Sequence, residues 1–438
     1  MNYTHDIVAK FGGTSMAYPA RAIEQLSADS AEPGVVVVSA PGVTPDWPIK
    51  ATDMLREYQR NPTPHRAVQI RDRFGALVDA AVTGGHAVGA YSVVDGIQNE
   101  LSLWQAENKP VEALGEYWSA KIFSALSGRD FIDATKLISF DQNGLDYSLT
   151  MRNARKRLGH LRRAAVVPGY YGTDRRGCVR VMERGGSDVT GAILALAMNS
   201  AEYHNWSDVD GFMSADPRQV QNARMIDIVT YREARELANG GAELLQKRVQ
   251  EILGHTTIDT IMRNTFGQYG NRGTVVTTDR DTRDMPVIGV TGQADMLELS
   301  FHEFGLQESV GGTVGIFEEL RRRKIPWEHA ATATDDLSIF LSGLYRSEIK
   351  RVVKRLGSSR RLMRVEPAAM IHVVGEGLRQ SGVMKMQVIG RLATSLSDAG
   401  IECMGATDVA SSAALTFFVR PDKLQSAVST THDNLHLS

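Results

Sequence analysis

The chain has 438 residues, too many for one ordinary core, so two or three domains are expected. Its formal net charge of −2, with no long basic or acidic block, gives no electrostatic reason to expect nucleic acid or an anionic membrane as a partner. The two cysteines, Cys178 and Cys403, form neither a disulfide framework nor a zinc pattern, and no apolar run reaches membrane-spanning length; a cytoplasmic, reducing compartment is expected.

The first predicted element is the apolar run 7–9, which ends at Lys10 and Gly12-Gly13. A helix over 18–28 follows, then the β-branched run 35–38, which stops at Ser39-Ala40-Pro41-Gly42. Uninterrupted valine suits a strand covered on both faces, as in a parallel sheet sandwiched by helices. Further strands are predicted at 131–133, 164–167 and 202–206, with helices over 112–126, 188–198 and 231–238. This alternation predicts an α/β fold with a mostly parallel sheet, in which ligands sit at the carboxyl ends of the strands. The charged stretch 279–286, closed by proline, reads as a linker. Beyond it an internal repeat emerges. Leu320 and Ile325 match Leu396 and Ile401, and the strand beginning at Leu337 matches the one beginning at Leu415. Two small α+β modules in tandem are predicted, with boundaries at 1–280, 285–357 and 358–438.

Candidate chemistry gathers at the glycine-bearing turns. Lys10-Phe11-Gly12-Gly13 places a lysine at a strand end before a helix, a pattern suited to an anion but also found in ordinary strand–helix turns. It lacks the Walker A spacing. Arg184-Gly185-Gly186-Ser187-Asp188 again precedes a helix. Arg184 suits a carboxylate, whereas Asp188 either caps the helix or orients cationic groups around a phosphoryl group. Acidic turns follow at Ser207-Asp208 and Asp216-Pro217-Arg218, and Gly115-Glu116 opens a helix where a surface glutamate is the plain reading. The histidines show no metal-ligand spacing, and no Gly-x-Ser-x-Gly elbow is present.

Taken in order, KFGGTS at 10–15, SAPG at 39–42, KATDML at 50–55, GE at 115–116, PGYYGT at 168–173, RGGSD at 184–188, WSDVDGFMSADPR at 206–218 and RNT…GT at 263–274 resemble the aspartokinases. VVGEGLRQSGV at 373–383 and the apolar strand before His432 resemble the paired ACT domains that follow the kinase domain in that family. The resemblance implies an amino-acid-kinase-like sheet followed by two ferredoxin-like ACT modules. It also implies transfer of the γ-phosphoryl group of ATP, with Mg²⁺, to the side-chain carboxylate of L-aspartate. Lys10 and Asp188 would be catalytic. Ser39, Thr44, Glu116, Tyr170, Arg184, Gly185 and Ser187 would bind the amino acid, with Arg184 on its α-carboxylate and Glu116 on its ammonium group. Lys10, Phe11, Gly12, Gly13, Ser207, Asp208, Met213, Asp216, Arg218 and Lys247 would surround the nucleotide, and no residue would be a metal ligand. A homo-oligomer formed through the ACT modules, with an amino-acid effector, is implied as well.

The chain departs from the commoner family pattern at three places. Gly241-Ala242-Glu243 stands where many members carry a lysine near the phosphates; a glutamate there would repel them unless Lys247 or another cation substitutes. Met213 replaces the usual tyrosine, and Ser411-Ser412-Ala413-Ala414 replaces an asparagine-containing effector loop. Two alternatives follow: a kinase of the same fold acting on another carboxylate, and a catalytically weak subunit that binds amino acids.

Overall fold

The computed structural model describes residues 7–28, 32–82, 87–241, 244–267, 273–306, 312–356 and 362–437. The chain forms two compact units. One comprises 1–211 and 245–278, the other 212–244 and 279–438. The segment 212–244 thus belongs with the C-terminal unit, unlike the boundary expected at 280.

In the first unit the strands lie in the order Val275–Thr277, Asp259–Asn264, Glu202–Ser207, Ile7–Phe11, Val35–Val38, Ala165–Pro168, Asp130–Phe131. All neighbours are parallel except the pair Val275–Thr277 and Asp259–Asn264. The valine run is buried at every position, as a strand covered on both faces requires. Ile7–Phe11 lies between the next strand in sequence and a much later one, so chain connections leave it in opposite directions and open a crevice at its carboxyl end. The strands and helices expected from the sequence are present, with ends moved by one or two residues.

Besides Tyr147–Leu158 and Lys247–Leu253, three consecutive helices were not anticipated: Ala51–Arg60, Pro64–Ala81 and Ala87–Ala106. They bury Leu55, Ile70, Phe74, Leu77 and Ile97 with Trp118 of the helix Leu114–Ser127. Thr63 caps the second by accepting from the Arg66 amide, and Pro64 occupies its first turn, where no amide donor is needed. A small sheet, with strands in the order Gly144–Leu145, Ser139–Asp141, Tyr171–Asp174, Val179–Val181, is likewise unforeseen.

The second unit holds a six-stranded antiparallel sheet in the order His329–Thr332, Asp336–Ser342, Gly289–His302, Leu362–Val374, Ala414–Val419, Cys403–Asp408. The repeat is visible in its backbone. Ile325 N–H closes onto Leu320 C=O at 3.0 Å and Ile401 N–H onto Leu396 C=O at 2.9 Å. The helices before these contacts end on left-handed residues, Lys324 at φ 56° and Gly400 at φ 64°.

The two modules are interleaved rather than tandem. Val290, Ile371, Val373, Leu392, Leu415 and Val428 share one core. Leu297, Leu299, Phe301, Leu320, Ile339 and Val352 share another. Gly289–His302 contributes to both cores, with a register shift between Gln293 and Met296 where it passes from one to the other. The expected boundary at 357/358 therefore does not separate the cores. The charged stretch 279–286 is also more than a linker, because Arg280 forms a buried ion pair with Glu233 at 2.5 Å.

Candidate active site

Lys10 occupies the central strand near its carboxyl end and is 6% exposed. Its ammonium lies 2.6 Å from Asp188 Oδ1 and 3.5 Å from Asn205 Oδ1, so a buried cation is held between a carboxylate and an amide. Asp188 stands in the first turn of the helix Gly186–Met198, where the helix dipole favours negative charge. It makes no side-chain cap there, so the capping alternative does not hold. Asn205 was missed in the sequence, because it carries no turn signal and lies inside a strand.

The glycines around this pair are sites of close approach. Gly12 N–H donates to Trp206 C=O at 3.0 Å, and a Cβ on Gly12 would lie 3.4 Å from the Lys10 ammonium. A Cβ on Gly42 would lie 2.8 Å from the Gly13 carbonyl carbon, and the Gly42 amide donates to the Gly13 oxygen at 2.7 Å. Gly185 has φ 84°, and a Cβ there would meet Gln246 at 2.8 Å. A Cβ on Gly169 would lie 2.5 Å from Ser187 Cβ, so the turns 168–173 and 184–188 pack directly on each other. Tyr170 sits between them at φ 74°, a conformation rare outside glycine. Thr190 Oγ1 accepts from its amide and Arg56 Nη2 donates to its phenol at 3.0 Å; neither partner was foreseen.

Glu116 is not the surface residue that its helix-start position suggested. It is 5% exposed, and its Oε2 has no hydrogen-bond partner. Burial pushes its pKa up to about 8, against the opposing pull of the Ala40 backbone hydrogen bond. Arg184 is exposed and makes no ion pair or hydrogen bond among the described residues. Thr44 and Asp208 line a cavity of about 840 Å³ together with Thr14, Tyr18, Val43 and Phe266. Ser39 follows the valine strand, its amide bonded to Phe11 C=O at 3.1 Å.

The residues named for the nucleotide are divided. Ser207 ends the strand beside Lys10 and Asp208 follows it, and Lys247 is exposed at the start of the helix Lys247–Leu253. Met213, Asp216 and Arg218 belong to the second unit, where Asp216 and Arg218 pair with each other at 2.7 Å. Glu243 lies outside the described residues. Among the described residues no group of His, Cys, Asp or Glu is placed to hold a metal ion, and no helix is long and apolar enough to cross a membrane.

Residues 7–264 match the amino acid kinase family. Aspartokinase 3 of Bacillus subtilis is 26% identical over 96% of this chain and 96% of its own length. An aspartate kinase of Pseudomonas putida is 28% identical over 50% of this chain and 54% of its own. The fold is similar to that of the Clostridium acetobutylicum aspartate kinase crystal structure, with a TM-score of 0.84, 24% identity and coverage of 98% and 99% of the two chains. It is also similar to E. coli aspartokinase III in complex with lysine and aspartate, with a TM-score of 0.77, 21% identity and coverage of 99% and 100%.

Proposed function

Because the chain belongs to the amino acid kinase family, we propose that its first unit transfers the γ-phosphoryl group of ATP to the side-chain carboxylate of L-aspartate, giving 4-phospho-L-aspartate. The observation that carries this reading is the buried, unpartnered carboxylate oxygen of Glu116. A buried carboxylate in a low-dielectric pocket needs a cation, and the ammonium group of a free amino acid supplies one.

The transfer forms a bond from a carboxylate oxygen to the γ-phosphorus and breaks the bond to ADP. No covalent enzyme intermediate is needed, so positioning and charge stabilisation do the work. Lys10 places positive charge where the transferring group develops negative charge, and Asp188 fixes the ammonium at 2.6 Å. Arg184 is assigned to the α-carboxylate, with Ser39, Thr44, Tyr170, Gly185 and Ser187 completing the acceptor pocket. Phe11, Gly12, Gly13, Ser207, Asp208 and Lys247 are assigned to the nucleotide from the first unit. The close backbone approach at Gly12 and Gly13 leaves room for phosphate oxygens beside Lys10. Mg²⁺ bound with ATP would neutralise charge between the phosphates.

The second unit is assigned the regulatory role of paired ACT modules, with homo-oligomer formation and an amino-acid effector as parts of the same proposal. A cytoplasmic location also belongs to it, consistent with the unpaired Cys178 and Cys403. Hydroxylamine trapping of the acyl phosphate, with aspartate, glutamate and N-substituted aspartates compared as acceptors, tests the reading. Hydroxamate formed from aspartate is expected; ATP turnover with another carboxylate alone would overturn it.

A further inference from the structure

Arg73, on the helix Pro64–Ala81, is 2% exposed and has no place in the site as assigned above. A guanidinium taken out of water is costly unless its donors are paired, usually with a carboxylate. Here Nη2 donates to the Gly42 carbonyl at 2.8 Å and the guanidinium lies 5.7 Å from the centre of the Trp47 ring. Nε has no partner, and no carboxylate pairs with the group among the described residues. Both of its contacts fall on the loop that carries Ser39 and Thr44.

That loop is held from its other side as well. The Gly42 amide donates to Gly13 C=O at 2.7 Å, in the turn next to Lys10. Thr44 and Trp47 exchange backbone hydrogen bonds of 3.0 and 3.1 Å, and the Trp47 amide also reaches Thr44 Oγ1 at 3.2 Å. A chain of contacts therefore runs from Arg73 through Trp47 to Thr44, and from Arg73 through Gly42 to Gly13.

We propose that Arg73 is a positioning residue for the amino-acid acceptor, clamping the 39–48 loop at Gly42 and Trp47 so that Thr44 is presented beside the glycine turn. The inference rests on the assignment of Thr44 to the acceptor pocket. Only an arginine meets both demands at once: it donates to a buried carbonyl and lays a flat cation against an indole. A leucine or methionine would pack against Trp47 but would leave the Gly42 oxygen unpaired.

The test compares wild type with Arg73→Lys, Arg73→Met and Trp47→Leu. In hydroxamate kinetics the KM for aspartate is expected to rise roughly 10-fold or more in Arg73→Met and Trp47→Leu, as expected when a bound group is misplaced. The KM for ATP should stay within about 2-fold, and Arg73→Lys should recover part of the loss. Trp47 is half-buried at the surface, so its variant keeps the test available if Arg73→Met does not fold. An unchanged aspartate KM, or equal changes in both KM values, would overturn the proposal. If wild type forms no aspartyl hydroxamate, it is the functional reading that fails. Amide hydrogen exchange at Gly42 and Thr44 then decides the clamp by itself: faster exchange in the variants supports it, and unchanged exchange refutes it.

Discussion

The role proposed for Glu116 implies that binding of the acceptor depends on pH in a definite direction. In the free protein burial raises its pKa from 4.5 to about 8. At pH 7, one unit below that value, about nine molecules in ten carry the neutral acid, and ionising it costs about 1.4 kcal/mol. An amino acid whose ammonium group pairs with Glu116 needs the carboxylate form, so binding at pH 7 should release about 0.9 proton. Apparent affinity for aspartate should improve about 5-fold between pH 7 and pH 8 and level off above that. The stability linkage has the opposite slope. Since the folded pKa is raised, the contribution of this group is fully present below pH 4.5 and is lost as pH rises through about 8. Calorimetric titration of aspartate at pH 7 in two buffers of different ionisation enthalpy gives the proton count directly. Glu116→Gln should abolish both the proton release and the pH slope. A wild-type titration with no proton release and a flat affinity from pH 6.5 to 8.5 would refute the reasoning, because the carboxylate would then not be the partner of the ammonium group.

Four further outcomes are expected. Lys10→Ala should lower kcat in the hydroxamate assay by roughly 10²–10³-fold while leaving the circular dichroism spectrum unchanged. Arg184→Ala should not change the melting temperature, since the side chain is exposed, yet should weaken aspartate binding by roughly 2–5 kcal/mol in calorimetry. Gly185→Ala forces a side chain into a left-handed turn against Gln246, and urea unfolding should show a loss of about 1 kcal/mol or more. Arg280→Ala strands the buried Glu233 and should cost roughly 3–5 kcal/mol in the same assay.

Much of the core architecture was legible because local chemistry and tertiary placement agree. Four consecutive valines bury on both faces, and RGGSD precedes a helix because glycine adopts φ 84° at Gly185 without the strain a side chain would add. The helix Pro64–Ala81 was legible too, with Ile70, Phe74, Leu77 and Val78 on one face and Thr63-Pro64 as its start signal, although it was not anticipated. Glu116 could not be placed from its neighbours, because whether a first-turn glutamate is wet or buried depends on what packs over it. Here Leu55 and Ala40 crowd the adjacent Gly115. Asn205 and Arg73 are of the same kind: each gains its meaning from a residue distant in sequence, Lys10 and Gly42 respectively. The repeat at 320 and 396 was correct in sequence and incomplete in space, since pattern matching cannot show one strand serving two cores.

The chain passes from one unit to the other at 211/212, again at 244/245 and finally at 278/279. A fragment that stops at Thr278 therefore does not contain a finished kinase half. It carries 212–244 without the companions those residues require: Ala215 and Val220 share their core with Val287, Leu424 and Val428, and Glu233 would lose Arg280. Such a fragment would expose greasy surface and a homeless carboxylate, and should precipitate or be digested. Joining Gly211 to Leu245 through a short glycine–serine bridge, with 279–438 removed, is the excision that keeps the residues of the first unit together.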